Sequence, residues 1–123
     1  MVLGVGVDLV SVARFARFRA RRGERGLRRL FTAGELQYCL RLADPVPSLA
    51  ARFAAKEALY KALGTGSTGT WTDVEVVRAP SGEPWLHLSG IASENARRLG
   101  VRRMHLSLAH TRELAIANVL LEG

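Results

Sequence analysis

The first apolar stretch of the chain, VLGVGVDLV, alternates large aliphatic side chains with small or acidic ones. The residues on one side are Leu3, Val5, Val7 and Leu9, and those on the other are Gly4, Gly6 and Asp8. A repeat of two residues is typical of a β-strand. Because glycine has no side chain, we expect another element to pack closely against the Asp8 side of this strand.

Two helices are predicted to follow this strand. Ser11 is suited to cap the first helix, which we expect to run to about Arg22 and to end near Gly23. Thr32 and Glu35 form a T-x-x-E capping box, the pattern that typically opens a helix. The sequence therefore predicts a second helix that begins at this box.

The longest helix is predicted after the Asp44-Pro45 pair, which we expect to end the second helix. Ser48 is suited to cap it, and Gly64 is suited to stop it. Its small residues share one stripe at 100° per residue: Ala51, Ala54, Ala55, Ala58 and Ala62. Such a stripe predicts that this helix lies close to a sheet.

Strands dominate the second half of the chain. WTDVEVV and PWLHLSG flank RAPSGE, whose proline and glycine suit a hairpin turn. IASENARRLG is typical of a short helix that Gly100 closes, and RMHLSLAH and ELAIANVLLE form a last strand pair. The order β-α-α-α-β-β-α-β-β predicts a single α+β domain over residues 1–123, with a mainly antiparallel sheet and the long helix packed on one face.

The composition is that of an ordinary globular protein, with 48% hydrophobic and 24% charged residues in 123. The one cysteine, Cys39, cannot form an internal disulfide, which favours a cytoplasmic setting. The apolar amino terminus lacks the positive leader of a signal peptide and is too short to cross a bilayer, so no membrane association is expected.

The net charge of +7 is concentrated in the first predicted helix and the segment after it. Eight arginines and one acidic residue lie between Arg14 and Arg29. Such a patch attracts polyanions: nucleic acid, a phosphorylated cofactor or an acidic protein. The alternative is an arginine-rich face that is merely solvated.

The glycines at 64, 66 and 69 spell G-x-G-x-x-G, the motif of dinucleotide-binding turns. Here the glycines follow a helix and precede a strand, which is the reverse of the order that motif requires. The match therefore does not indicate a dinucleotide-binding fold. What remains is the loop GTGSTGT, whose backbone N–H groups could cradle a phosphate or serve as an ordinary connector.

Asp8, Glu57 and Lys61 are the candidates for chemistry. An unpaired carboxylate at Asp8 would be costly among its apolar neighbours, and Glu57 and Lys61 border the alanine stripe. A Mg²⁺ ion held by Asp8 and Glu57 would explain both acids, since Mg²⁺ takes one or two protein carboxylates and completes its shell with water and phosphate oxygens. The alternatives are an ion pair of Asp8 with an arginine or lysine, and a surface pair of Glu57 with Lys61.

Lysine and histidine add weaker hints. Lys56 and Lys61 are the only lysines beside sixteen arginines, which suggests a need for a compact ammonium that can also give up a proton. His87 and His105 are expected on the outward faces of their strands. His110 ends its strand beside a turn, where polar side chains often serve a site.

Three segments together resemble one family: GVGVDLV, RFAAKEALYKALGTG and LSLAHTRELAIANVLLE. In order and spacing they are similar to the holo-acyl-carrier-protein synthases, the small bacterial 4′-phosphopantetheinyl transferases of lipid metabolism. The resemblance implies transfer of 4′-phosphopantetheine from coenzyme A to a serine of an apo-acyl carrier protein in fatty acid biosynthesis, with release of adenosine 3′,5′-bisphosphate.

The resemblance also implies roles for particular residues. Asp8 and Glu57 would hold Mg²⁺, with Mn²⁺ able to substitute, and Lys61 would be the third catalytic residue. The residues implied for coenzyme A are Arg52, Lys61, Gly64, Thr65, Gly66 and His110. Those implied for an acidic carrier protein are Arg14, Arg17 and Arg21. The small members of the family are usually homotrimers, which the resemblance implies here as well.

The main rival is a nucleic-acid-binding module built on the arginine-rich helix. That segment offers few aromatic side chains for base stacking, and this interpretation leaves Asp8 and Glu57 unexplained. We therefore expect no nucleic-acid partner. An inactive trimeric scaffold is a further alternative.

Overall fold

In the computed structural model, which describes residues 1–66 and 69–123, helices and strands follow in the predicted order. The strands are β1 (Val2–Ser11), β2 (Val74–Arg78), β3 (Pro84–Leu88), β4 (Arg103–His110) and β5 (Leu114–Glu122). The helices are α1 (Val12–Leu30), α2 (Ala33–Cys39), α3 (Val46–Leu63) and α4 (Gly90–Leu99). A 3₁₀ turn, Trp71–Asp73, precedes β2. The α+β class is confirmed.

All strand pairs within the described residues are antiparallel, but they form two sheets rather than one. One sheet has the order β1-β5-β4, so the first and last strands of the chain lie side by side. The other is the predicted hairpin of β2 and β3. β3 and β4 lie against each other without forming a ladder of paired residues.

The long helix α3 packs against β1 and β5, and its alanine stripe forms the contact as predicted. The five alanines of the stripe are all buried. A methyl group added to Gly4 would overlap the carbonyl oxygen of Ala62, and one added to Gly6 would overlap that of Ala58. The glycines of β1 therefore permit an approach in which strand backbone touches helix backbone, and this approach brings Asp8 beside α3.

The hydrophobic core has two parts. The larger part joins α3 and α4 to β2, β3, β4 and β5. The smaller part lies under α1 and α2 and is rich in aromatic rings, where Phe15 contacts Phe18, Phe31 and Phe53. Phe53 also contacts Trp71, which ties α3 to the 3₁₀ turn.

Two predicted helix boundaries are wrong. α3 begins at Val46 rather than at Ser48, because Pro47 is well suited to the first turn of a helix. Ser48 instead lies inside the helix, where its hydroxyl accepts a hydrogen bond from Arg52. Helix α2 ends at Cys39, before the predicted Asp44-Pro45 pair. Gly23 does interrupt the first helix as predicted: its φ of 62° and ψ of −157° kink α1, and a second helical stretch continues to Leu30.

The predicted alternation in β1 is also wrong at its start. The pairing register with β5 shifts between Val2 and Gly4, so one residue is added to the strand at this point. As a consequence Leu3 packs against the core instead of sharing a side with Val5 and Val7.

The outer face of the three-stranded sheet, opposite α3, carries exposed apolar side chains. They are Val5, Val7, Leu9, Leu114 and Ile116. We call this set the outer sheet face. Among the described residues, none of the helices is both long enough and apolar enough to span a membrane.

Candidate active site

Asp8 projects from β1 toward α3 and is paired with Lys61. The ammonium nitrogen Nζ of Lys61 donates to Oδ1 of Asp8 at 2.8 Å and to the carbonyl oxygen of Val7 at 3.1 Å. The side chain of Asp8 is 12% exposed and that of Lys61 is 54% exposed. The ion pair with a lysine, one of the alternatives that the sequence left open for Asp8, is present in this structure.

Glu57 lies one helical turn before Lys61 and interacts electrostatically with both Asp8 and Lys61. Burial, and next the carboxylate of Asp8, raise the pKa of Glu57, while the ammonium of Lys61 opposes the rise. The hydrogen bond to Asp8 raises the pKa of Lys61. The two carboxylates are therefore close enough to repel each other, and one lysine only partly compensates their charge.

These two carboxylates fit the ligand set that Mg²⁺ requires. Within the described part of the chain there is no cluster of three or more histidine, cysteine, aspartate or glutamate side chains that would build a complete protein site for a metal ion. Mg²⁺ needs no such site, because one or two carboxylates suffice when water and substrate phosphates supply the other oxygens. Asp8 and Glu57 are hard oxygen donors with excess negative charge, which suits this ion.

A cleft of about 510 Å³ joins the carboxylates to the arginine-rich helix. Asp8 and Glu57 lie on its wall together with Arg14, Arg17 and Arg21. The three arginines are exposed. The structure thus brings together two groups of residues that the sequence placed in separate predictions, the metal-ligand candidates and the carrier-docking candidates.

The two lysines of α3 occupy opposite environments, as the angle of about 140° between them on a helix predicts. Lys56 is fully buried, and its Nζ donates to Oε1 of Glu35 at 2.7 Å, to the carbonyl of Trp71 at 3.1 Å and to the carbonyl of Val74. Burial lowers the pKa of Lys56, and the Glu35 carboxylate opposes that change. Lys56 is therefore structural, and the interpretation drawn from lysine usage stays a prediction for Lys61.

Glu35 has a second function that sequence reasoning missed. Its Oε1 accepts from the backbone N–H of Thr32, which completes the predicted capping box. Its Oε2 accepts from the backbone N–H of Val76 in β2. One buried carboxylate thus joins α2, α3 and β2, and the only sequence signal for it was the capping box.

Arg52 does not lie beside the Asp8–Lys61 pair. Its guanidinium is buried, donates to Ser48 Oγ at 2.8 Å and stacks over the ring of Tyr38 at 4.5 Å. These contacts direct the side chain toward α2, on a different side of α3 from Glu57. Within one chain, contact of Arg52 with coenzyme A would require the guanidinium to leave these partners.

The loop after α3 begins in the left-handed conformation that glycine permits. Gly64 caps the helix at φ 74°, and Gly66 has φ 65°. The hydroxyl of Thr65 donates to the carbonyl of Gly66 at 3.1 Å. Ser67 and Thr68, which belong to the predicted phosphate loop, lie outside the described residues.

His110 is exposed at the end of β4. It pairs with Ala115 of β5, which in turn pairs with Val10 of β1. Because Asp8 is two residues from Val10, His110 falls on the same face of the sheet as Asp8, two strands away. His105 lies on the opposite face, as predicted, and Nε2 of His105 is 2.5 Å from Oε1 of Glu122.

Comparison with known proteins covers nearly the whole chain. Residues 4–117 match the family described as the 4′-phosphopantetheinyl transferase superfamily. The chain is 49% identical over 124 residues to a holo-[acyl-carrier-protein] synthase of Koribacter versatilis, with 99% of each chain covered. It is 50% identical over 126 residues to that of Anaeromyxobacter sp. (strain K), which covers 100% of this chain and 98% of the relative.

Solved structures agree with this similarity. The crystal structure of the Neisseria meningitidis synthase superposes with a TM-score of 0.92 at 32% identity and covers 100% of both chains. The Helicobacter pylori synthase, solved in complex with coenzyme A, has a TM-score of 0.84 at 30% identity and covers 96% of this chain and 99% of its own. The family resemblance drawn from the three segments is confirmed.

Proposed function

Because the chain belongs to the 4′-phosphopantetheinyl transferase superfamily, we propose that its cleft carries out the reaction of a holo-[acyl-carrier-protein] synthase. The enzyme transfers 4′-phosphopantetheine from coenzyme A to a serine of an apo-acyl carrier protein and releases adenosine 3′,5′-bisphosphate. The observation that carries the proposal is the shared cleft, in which Asp8 and Glu57 lie beside exposed arginines.

Asp8 and Glu57 would hold Mg²⁺, and Mn²⁺ could replace it. When bound, the ion neutralises negative charge on the pyrophosphate of coenzyme A, which is a large part of what phosphoryl transfer requires. The backbone pairing of β1 with β5 fixes the position of Asp8. The close contact of α3 with Gly4 and Gly6 fixes the position of Glu57 relative to β1. The two ligands therefore come from rigid elements rather than from loops.

Lys61 would bind and stabilise the phosphate that leaves with the nucleotide. Its side chain is half exposed at the edge of α3, one turn before the loop that begins at Gly64. An ammonium there can donate hydrogen bonds to phosphate oxygens and a proton to the leaving group. Gly64, Thr65, Gly66 and His110 would line the nucleotide side of the cleft.

Arg14, Arg17 and Arg21 would dock the carrier protein. They project from α1 into the cleft that contains Asp8, so an acidic partner bound to them would have its serine near the reacting phosphate. In the described structure, α1 contains the acidic residue Glu24, which pairs with Arg28 at 3.2 Å. Among residues 1–66 and 69–123, Arg14, Arg17 and Arg21 form no ion pair that would compete with a carrier carboxylate.

We further propose that the protein is a homotrimer and that it is cytoplasmic. The outer sheet face exposes five large apolar side chains on adjacent strands, which is typical of a protein–protein interface. The cytoplasmic location agrees with Cys39, a buried free thiol.

A mass measurement tests the proposed reaction. The protein is incubated with coenzyme A, Mg²⁺ and an apo-acyl carrier protein, and the carrier is weighed by mass spectrometry. We expect the carrier to gain one phosphopantetheine group, and to gain none when its acceptor serine is replaced by alanine. An unmodified carrier, beside a known synthase that modifies it under the same conditions, would contradict the proposal.

A further inference from the structure

Lys61 forms an ion pair with the carboxylate of Asp8, which the metal ion is expected to bind. Its Nζ lies 2.8 Å from Oδ1 of Asp8 and 3.1 Å from the carbonyl oxygen of Val7, so the ammonium rests on the backbone of β1 at the metal-ligand position. Resting on the proposed function, we propose that Lys61 is the counter-ion that a divalent cation displaces from Asp8, so that metal binding releases the ammonium for the phosphate of coenzyme A.

The competition follows from the charges in the cleft. Two carboxylates, those of Asp8 and Glu57, lie on the wall of the cleft, and one ammonium, that of Lys61, is paired with Asp8. A divalent cation at the same carboxylates repels an ammonium held 2.8 Å from one of their oxygens. Since the side chain of Asp8 is only 12% exposed, water screens this repulsion less than it would at an open surface.

The side chain of Lys61 is less confined than that of Asp8. Asp8 is held in β1, whose pairing with β5 extends from Val2 to Ser11. The side chain of Lys61 is 54% exposed, and its partners are one carboxylate oxygen and one carbonyl oxygen. The contrast with Lys56 is clear, because Lys56 is fully buried and has three acceptors from three segments.

The proposal implies that the metal ion and coenzyme A strengthen each other's binding by more than their direct contact alone would. A cation that displaces Lys61 makes the ammonium available to an anionic ligand. A phosphate that attracts Lys61 makes Asp8 available to the cation. Linkage requires the two effects to be equal, so each ligand strengthens the binding of the other by the same factor.

Metal binding to the free protein tests the competition without any measurement of activity. The dissociation constant for Mn²⁺ is determined by electron paramagnetic resonance for the wild type and for Lys61→Met, first without and then with saturating coenzyme A. We expect Lys61→Met to bind Mn²⁺ alone roughly 5-fold more tightly or better. We also expect coenzyme A to tighten Mn²⁺ binding less in this variant than in the wild type.

Arg14→Gln is the matched control. Arg14 lines the same cleft as Asp8, and its backbone N–H donates a hydrogen bond to the hydroxyl of Ser11. Its removal also takes one positive charge from the cleft but frees no carboxylate. We expect its Mn²⁺ affinity to stay within about 2-fold of the wild type, since exposed charges interact weakly.

The outcomes separate this inference from the proposed function. Unchanged or weaker Mn²⁺ binding by Lys61→Met, with Asp8→Asn still abolishing binding, overturns the competition and leaves the proposed function standing. An equal increase of Mn²⁺ affinity in Arg14→Gln also overturns the competition, because the increase would then come from the net charge of the cleft. If Asp8→Asn and Glu57→Gln bind Mn²⁺ as the wild type does, the proposed metal site is wrong and the competition is wrong with it.

Discussion

The ammonium of Lys56 lies 2.7 Å from Oε1 of Glu35, and neither side chain is exposed to solvent. The residues are 21 positions apart and come from different helices. Glu57, a proposed metal ligand, follows Lys56 directly on α3. The hydrogen bonds of Lys56 and Glu35 therefore connect this turn of α3 to α2 and to the start of β2. The buried ion pair thus fixes the position of the helix that presents Glu57 and Lys61, the proposed site residues.

We expect Lys56→Met to destabilise the fold strongly. The variant leaves the carboxylate of Glu35 buried without its cation, and removing one partner of a buried ion pair typically costs about 3–5 kcal/mol of unfolding free energy. Urea denaturation measures the change. Lys56→Met/Glu35→Gln should recover part of the loss, because the second substitution removes the unpaired charge. Wild-type stability of Lys56→Met would contradict the structural assignment of this lysine.

The two glycines of β1 lead to a second prediction. A methyl group on Gly6 would overlap the carbonyl oxygen of Ala58 and lie 2.9 Å from the backbone nitrogen of Ala62. Since backbone cannot move aside as a side chain can, α3 must shift, and we expect Gly6→Ala to cost about 3 kcal/mol or more. The shift should also lower turnover, because Glu57 and Lys61 would leave their positions beside Asp8.

Gly34→Ala serves as the control for Gly6→Ala. A methyl group there would come within 2.9 Å of the flexible end of Glu75, and the backbone of a neighbouring element is not among its close contacts. We expect its unfolding free energy, measured by the same urea titration, to stay within about 1 kcal/mol of the wild type. Equal destabilisation by the two substitutions would show that close contact with α3 is not the cause.

These residues also show what the sequence could and could not predict. The approach of α3 to β1 was predictable, because Gly4, Gly6 and the alanine stripe are local patterns that each leave room for a neighbour. The pair of Lys56 with Glu35 was not, since no local pattern selects a partner 21 residues away. The surroundings of Arg52 were unpredictable for the same reason: they depend on where α2 packs, which the sequence of α3 does not contain.

The proposed metal ligands lead to a third prediction. Asp8→Asn and Glu57→Gln each remove a ligand charge at the reacting phosphate, and we expect turnover to fall by about 10² or more. The fold should persist, as judged by circular dichroism, because both substitutions keep the size of the side chain. Glu24→Gln, an acid exposed on α1 and outside the cleft, should keep wild-type turnover. Near-normal Mg²⁺-dependent activity of either site variant would remove that residue from the site.

The outer sheet face leads to a fourth prediction, on assembly. Val5 is 58% exposed in the single chain, so a charge there leaves the fold of one chain intact but would be buried in a trimer. We expect Val5→Glu to shift the mass measured by light scattering from three chains toward one. Trp85→Glu, at a residue 56% exposed on β3 outside this face, should leave the mass unchanged. A wild-type protein that elutes as a single chain would contradict the trimer.

The last prediction concerns the arginines of α1, which lie in the cleft but should not contact the transferred phosphate. If Arg14 and Arg21 dock an acidic carrier, they act on encounter and orientation, so Arg14→Glu or Arg21→Glu should raise KM for the carrier and leave KM for coenzyme A nearly unchanged. Rim charges mainly affect the association rate, so the wild-type rate at low carrier concentration should also fall with added salt. Saturation curves for both substrates, at low and moderate salt, measure these effects.

Arg98→Glu is the control that separates docking from net charge. Arg98 is exposed in the last turn of α4, and its reversal changes the charge of the protein by the same amount without altering the cleft. Docking by α1 requires that only the substitutions at Arg14 and Arg21 raise the carrier KM. Equal effects from all three variants would mean that the carrier responds to the overall charge of the protein. Equal shifts of KM for both substrates would place the arginines at the coenzyme A site instead, while leaving the transferase reaction unaffected.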